Sequence, residues 1–404
     1  MVLLAFPLIS SLFVGAFLGK SKSVDKKIVN NWVFAISTLL SGFMYKGLNY
    51  YSIFFLIGYF LSIFINGKIR LDISKLRNPI GVFLVFLLLS SVLGFVNRFK
   101  NMGFEISSLF WLPFFSMLLV LYLNDSGFNF VIEKFNSKIV VILLFWMILY
   151  SLCNLWSMWN FGSAAEIQFA QNPDKGTTYA IWPNTAYMSI TLILGYYISL
   201  NYSLLAKYRF QKYLIRAINF LILFSSAISL SRSALVLCML IFISFLIPEM
   251  RKSWIKLKFD LVFSMCGVIT GAFFSASSFI DFGSDLKQVN LQPDRWAQYS
   301  LAWRYFLDSG LTSKLFGGGW RSSGYLLSST PGEQYSLSLT PLLLVEIGLV
   351  GFCILISAVI FRVFKTLKQD RHDAIPQLAV FVSIILIGCI ANIQTNLMFY
   401  LAFL

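Results

Sequence analysis

Long apolar runs separated by short polar breaks dominate the pattern of this chain. A bilayer core about 30 Å thick needs roughly 20 apolar residues per helical crossing, and lipid offers no partner to open backbone, so such runs predict membrane-spanning helices. They fall near residues 2–19, 28–44, 48–66, 79–96, 107–123, 139–158, 179–202, 213–230, 233–248, 259–280, 337–362 and 377–403. The expectation is an all-α polytopic membrane protein of about twelve helices. The first run starts at Met1 without a basic n-region or a small-residue cleavage site and stays apolar to Gly19, the pattern of a retained span rather than a signal peptide. With no soluble domain, internal repeat or low-complexity tail, residues 1–404 read as one integral membrane domain.

Composition agrees: 58% of the 404 residues are hydrophobic and only 12% charged, a balance that excludes a soluble globular protein of this length. The net charge of +15 does not indicate nucleic acid, because the 32 Lys and Arg residues are scattered among the polar breaks. Their distribution sets orientation instead. Breaks at 20–27, 67–78, 124–138, 203–216, 249–259 and 362–371 hold 22 of them and the alternate breaks hold 10, which puts the first group in the cytoplasm. The five cysteines all fall in predicted spans without metal-ligand spacing and read as small core residues. His372, the single histidine, lies in a short charged break, QDRHDAIPQ, and reads as a solvated loop residue.

The same charge count interprets one anomaly. Residues 217–247 carry no charge except Arg232, in SLSRSALV. Treating this stretch as one span blunts the charge asymmetry to 19 against 12, whereas a hairpin, with Arg232 set aside, gives 22 against 9. A hairpin with Arg232 at its outer tip is therefore expected, leaving a guanidinium at headgroup depth, where a charge is costly and marks function or pairing.

The longest polar segment, 281–336, is predicted outside the membrane. Pro293 and Asp294 signal a helix start and Gly310 a stop, enclosing an amphipathic helix whose Trp296, Trp303 and Leu307 stripe faces the membrane surface or caps the bundle. Arg295 and Arg304, nine positions apart, point to opposite sides of it. Asp308 offers Arg304 a surface ion pair, whereas no acid stands in register with Arg295. The run KLFGGGWRSSG either brings backbone amides close to an oxyanion or is a plain turn.

DRWAQYSLAWRYFLDSGLTSKLFGGG, with its arginine, tryptophan-rich helix and G-x-G turn, resembles the O-antigen polymerase and ligase superfamily. SLSRSALV resembles that family's S-x-S-R-x-A signature, LLLVEIGLVG its apolar-Glu-apolar-Gly helix, and Asn184 in IWPNTAYMSI its Pro-Asn span start. The likeness covers roughly residues 179–362. It implies a C-type glycosyltransferase-like fold acting on an undecaprenyl-pyrophosphate-linked glycan, at the periplasmic face of the bacterial inner membrane, with a chain-length regulator protein as a further partner. The family's ligases carry a His-Asn pair about eleven residues before the glycine that corresponds to Gly348; here Leu337 and Ser338 stand there, and the polymerase branch is favoured.

The chemistry so implied needs fixed cations for a pyrophosphate leaving group, and arginine supplies bidentate donors. Arg232, Arg295 and Arg321 best meet that need, with Arg304 and Asn184 as further substrate contacts. Glu333 is the acid nearest the position of the ligase base and the candidate for that role, although its ordinary reading is a helix-entry residue. Glu346, nine residues inside the predicted span, must be paired or protonated, and is a candidate substrate contact or a structural partner of a polar neighbour or an arginine. No Asp/Glu cluster with metal spacing occurs in the outer loops, so neither metal nor other cofactor is expected. A lipid-oligosaccharide flippase also has about twelve spans, but it normally has two similar halves, which are not found here. A non-enzymatic assembly scaffold is the third class, and the outward arginines weigh against it.

Overall fold

The computed structural model describes residues 9–17, 50–66, 72–99, 114–118, 121, 145, 148, 190, 192–200, 208–228, 232–249, 262–271, 295–320, 322, 339–368 and 371–390. The described chain is helical throughout, without strands. Its principal helices are α1 (Tyr50–Ile65), α2 (Pro79–Phe99), α3 (Arg209–Ile228), α4 (Arg232–Glu249), α5 (Arg295–Asp308), α6 (Leu311–Phe316), α7 (Leu339–Leu367) and α8 (Arg371–Ile390). Within α7, Leu343–Leu367 is long and apolar enough to cross a membrane, with mean hydropathy 2.7. Shorter apolar helices run over Ile53–Ile65, Pro79–Gly94, Leu235–Leu246, Val262–Gly271 and Ala374–Ile387.

Local signals set the starts of these helices. Before α2, the Asp72 carboxylate accepts the Ser74 backbone N–H and hydroxyl, which holds its pKa below the ordinary value and begins the 3-10 turn Ile73–Arg77. Asn78 then caps α2 through a 2.7 Å bond from the Gly81 N–H to its side-chain oxygen, and Pro79, which has no N–H to leave unpaired, takes the first helical position. The uncharged stretch around Arg232 is divided as expected: α3 ends at Ile228, α4 begins at Arg232, and the two pack together.

The centre of the fold is α7, on which α2, α5, α6 and α8 all pack. Tyr59 of α1, Phe83 and Leu87 of α2, Ile347 of α7 and Ile384 of α8 belong to one buried apolar cluster. The polar break between the last two predicted spans is shorter than expected, since α7 runs on to Leu367 and α8 begins at Arg371. Arg362, placed in a loop by its charge, lies inside α7 with 2% exposure, and His372 is the second residue of α8. A guanidinium is long enough to sit between packed helices, so a charge alone did not mark the helix end. Cys238 is buried as expected, whereas Cys266 and Cys353 are exposed. The predicted spans at 28–44 and most of 139–158 lie outside the described residues.

The amphipathic helix forms where predicted, as α5, and its Trp303 and Leu307 stripe does not cap the bundle. Ala302 and Phe306 are buried against Val345 of α7, whereas Trp303 and Leu307 of the predicted stripe are half exposed. The small Ala302 lets the two helices approach, so packing on α7 decided the buried face. Replacing Phe306 with Ala is expected to weaken this docking by about 3 kcal/mol. Hydrogen exchange over 295–308 would then accelerate; exchange unchanged from the parent would show that α5 is held by other means.

Candidate functional site

Near the start of its apolar segment α7 breaks at Gly348, whose φ of 64° and ψ of −172° belong to a region open essentially only to glycine. The break interrupts the helical hydrogen-bond ladder and leaves carbonyls that need other donors. The chain after α6 supplies them. Gly317 ends α6 with φ 74° and ψ −177°, the same glycine-only region, and turns the chain toward α7. The Gly318 N–H then donates to the Val345 carbonyl at 2.8 Å and the Gly319 N–H to the Glu346 carbonyl at 2.9 Å. The fit is close on both sides: a Cβ at Gly317 would strike the Glu346 carbonyl, and one at Gly348 the Leu315 carbonyl.

The turn is also held from its other side. Trp320 N–H donates to the Ser90 carbonyl of α2 at 2.9 Å, and Gly319, with φ 102°, lies backbone against backbone on Gly94. Ser322 closes the turn, its N–H and hydroxyl donating to the Gly319 carbonyl at 3.1 and 2.6 Å. Trp320 is 2% exposed and belongs to the main apolar cluster with Ile347. The glycine run is therefore a clasp between α2 and the broken α7, neither a loose turn nor an amide cradle: the Gly318 and Gly319 amides are committed to helix carbonyls.

Of the residues singled out by sequence, Glu346 lies in the clasp. Its side chain is fully buried, two residues before the break. Arg304 is exposed on α5, and among the described residues no ion pair joins it to Asp308, also exposed. Water competes strongly for such a pair. Beside Arg304, burial raises the Tyr305 phenol above its ordinary pKa and keeps it neutral. Arg295 and Arg232 are the first residues of α5 and α4, which pack on α7 and on α3 and α8 respectively. Arg321, Glu333 and Asn184 lie outside the described residues; Arg321 falls between Trp320 and Ser322, both buried. Among the described residues no group of His, Cys, Asp and Glu has the arrangement of a metal site. Sequence reading missed Ser90 and Gly94 of α2 and the Gly348 break itself. The available signal was the pairing of an isolated in-span glycine with a glycine triplet elsewhere.

No protein-family model, curated protein or solved structure matches the chain.

The clasp makes the glycines unequal. Gly348→Ala and Gly317→Ala should each lower stability by about 1–3 kcal/mol from backbone strain alone. Gly310→Ala is the control, since a Cβ there meets nothing within 4 Å. Thermal unfolding in detergent should separate the two glycine classes; equal midpoints for all three variants would contradict the clasp.

Proposed function

We propose that this protein is a polytopic inner-membrane glycosyltransferase of the O-antigen polymerase type, joining undecaprenyl-pyrophosphate-linked repeat units on the periplasmic face. The observation that carries this reading is the clasp. Two motifs that the resemblance singled out, the G-x-G turn at 317–319 and the Glu-x-Gly of α7, are about 30 residues apart in sequence, yet they interlock through backbone hydrogen bonds. A likeness confined to disconnected sequence fragments would give no reason for them to meet.

The distribution of polarity supports a membrane setting for more than α7. Large apolar side chains such as Phe13, Phe17, Phe64, Ile269 and Phe364 are exposed, more than a water-facing surface tolerates in contiguous patches. Polar groups meet between helices instead: the Ser199 hydroxyl donates to the buried Asn219 side chain, and the Tyr196 hydroxyl bonds Ser264 at 2.9 Å. Interhelical bonds of this kind are used where lipid provides no alternative partner.

The proposed reaction breaks the anomeric C–O bond to the pyrophosphate of the donor and forms a C–O bond to a hydroxyl of the acceptor repeat unit. The hydroxyl proton is released, and undecaprenyl pyrophosphate leaves with the bond's electron pair. Charge grows on the leaving phosphate, so guanidinium groups fixed beforehand near it lower the barrier. Arg232, Arg295 and Arg321 are assigned that role, Arg304 and Asn184 hold the glycan, and Glu333 receives the proton. Glu346 is assigned to shaping the substrate cavity from within α7, since its side chain is fully buried.

Purified protein in liposomes should lengthen a lipid-linked repeat unit without other proteins, and chelator should leave the rate unchanged. Arg232→Ala, Arg295→Ala and Arg321→Ala should each slow it by about 100-fold, the usual effect of removing one preorganised donor. Transfer of the lipid across the bilayer without lengthening, or normal polymer from all three variants, would overturn the assignment.

A further inference from the structure

Nothing in the resemblance assigns a role to the first half of the chain, yet α2 forms one wall of the clasp. We propose that the Ser90–Gly94 face of α2 is a positioning element of the site: it fixes the turn through Gly319 and Trp320, and Gly319 in turn bonds the Glu346 carbonyl at the break in α7. This rests on the polymerase reading for its chemistry, but the geometric part stands independently of it.

The physical case begins with the Ser90 carbonyl. In a helix its natural donor is the N–H of residue 94, and a carbonyl has a second lone pair for another donor. Trp320 N–H uses it at 2.9 Å. To reach it, the loop backbone must come against the helix backbone one turn further on, and position 94 has no side chain in the way. A Cβ at Gly94 would collide with the Trp320 carbonyl oxygen and stand 3.2 Å from the carbonyl carbon of Gly319 and the nitrogen of Trp320. The neighbours at risk are thus all loop backbone, which cannot rotate aside as a side chain can. From the other direction, a Cβ on Gly319 would strike Gly94 itself, so the two glycines admit one another only as a pair.

Gly94 has none of the positive φ found at Gly317, Gly319 and Gly348. Alanine at 94 therefore strains no backbone, and it is the better helix former. Were α2 only a packing neighbour, Gly94→Ala would be neutral or stabilising once the loop had shifted. If α2 positions the turn, the same change moves Gly319 and Trp320, and with them the Ser322 and Glu346 contacts of the clasp, and leaves α2 intact. Displacement of a group in the site by about 1 Å costs on the order of 100-fold in rate even when the substrate still binds.

The geometric arm uses Ser322, which is fully buried and whose replacement by cysteine is nearly isosteric. In a background free of the five native cysteines, Ser322→Cys should resist a maleimide reagent when residue 94 is glycine. It should react about tenfold faster, as a locally opened segment does, when Gly94→Ala is added. The functional arm measures joining of lipid-linked repeat units by Gly94→Ala alone: kcat is expected to fall about 100-fold with KM near that of the parent. Slow labelling in the Gly94→Ala background overturns the positioning role whatever the activity. Fast labelling with parental kcat shows that the turn moves without consequence and overturns it too. Fast labelling, when the parent protein itself shows no polymerisation, removes the polymerase reading and retains α2 as the element that sets the turn.

Discussion

A helix that stops being helical inside an apolar segment creates a debt of unpaired carbonyls, and the fold is organised around how α7 meets it. An apolar surround cannot donate to those oxygens, and each buried polar group without a partner costs several kcal/mol. Val345 and Glu346 receive the Gly318 and Gly319 amides, so the break and the turn exist by virtue of each other. Gly348 has its unusual dihedrals because a backbone strand lies where a side chain would be, and Gly317 for the reciprocal reason. With Trp320 bonded to Ser90, main-chain hydrogen bonds join the turn to both α2 and α7.

Main-chain contact of this kind has a mechanical consequence. A clasp of side chains relaxes when one rotamer changes, whereas a clasp of backbones admits only concerted shifts. The residues it carries are Trp320 and Ser322 on the turn and Glu346 on α7, all buried. Function in the proposed chemistry needs groups held to a fraction of an ångström, and rigid elements supply that better than free loops. A glycine triplet, ordinarily a sign of slack, here fixes position because each of its members is spent on close approach.

Much of this was legible from residue types. Helices α1, α2 and α5 lie within a few residues of their predicted ranges, because apolar runs and the start signal at Pro293–Asp294 are local. The division at Arg232 was legible from charge arithmetic, a property of the whole chain. Less legible was anything that depends on which surfaces meet. Helical spacing puts Trp303 and Leu307 on one stripe without saying whether it packs on the bundle; a close approach to α7 favours small Ala302, and the tryptophan is left half exposed. Arg362 looked like a helix boundary because the count of charges is blind to burial between α7 and its neighbours. Gly94 was illegible in isolation, since one glycine in an apolar helix has many explanations and its partner is more than 200 residues away.

The most direct measurement of the central claim is hydrogen exchange at the Gly318 and Gly319 amides in the detergent-solubilised protein. If they bond the carbonyls of the broken α7, the peptide covering 315–322 exchanges as slowly as the apolar half of α7 that follows Gly348. Exchange within seconds, as in a solvated glycine turn, would contradict the clasp and with it the positioning of everything the turn carries.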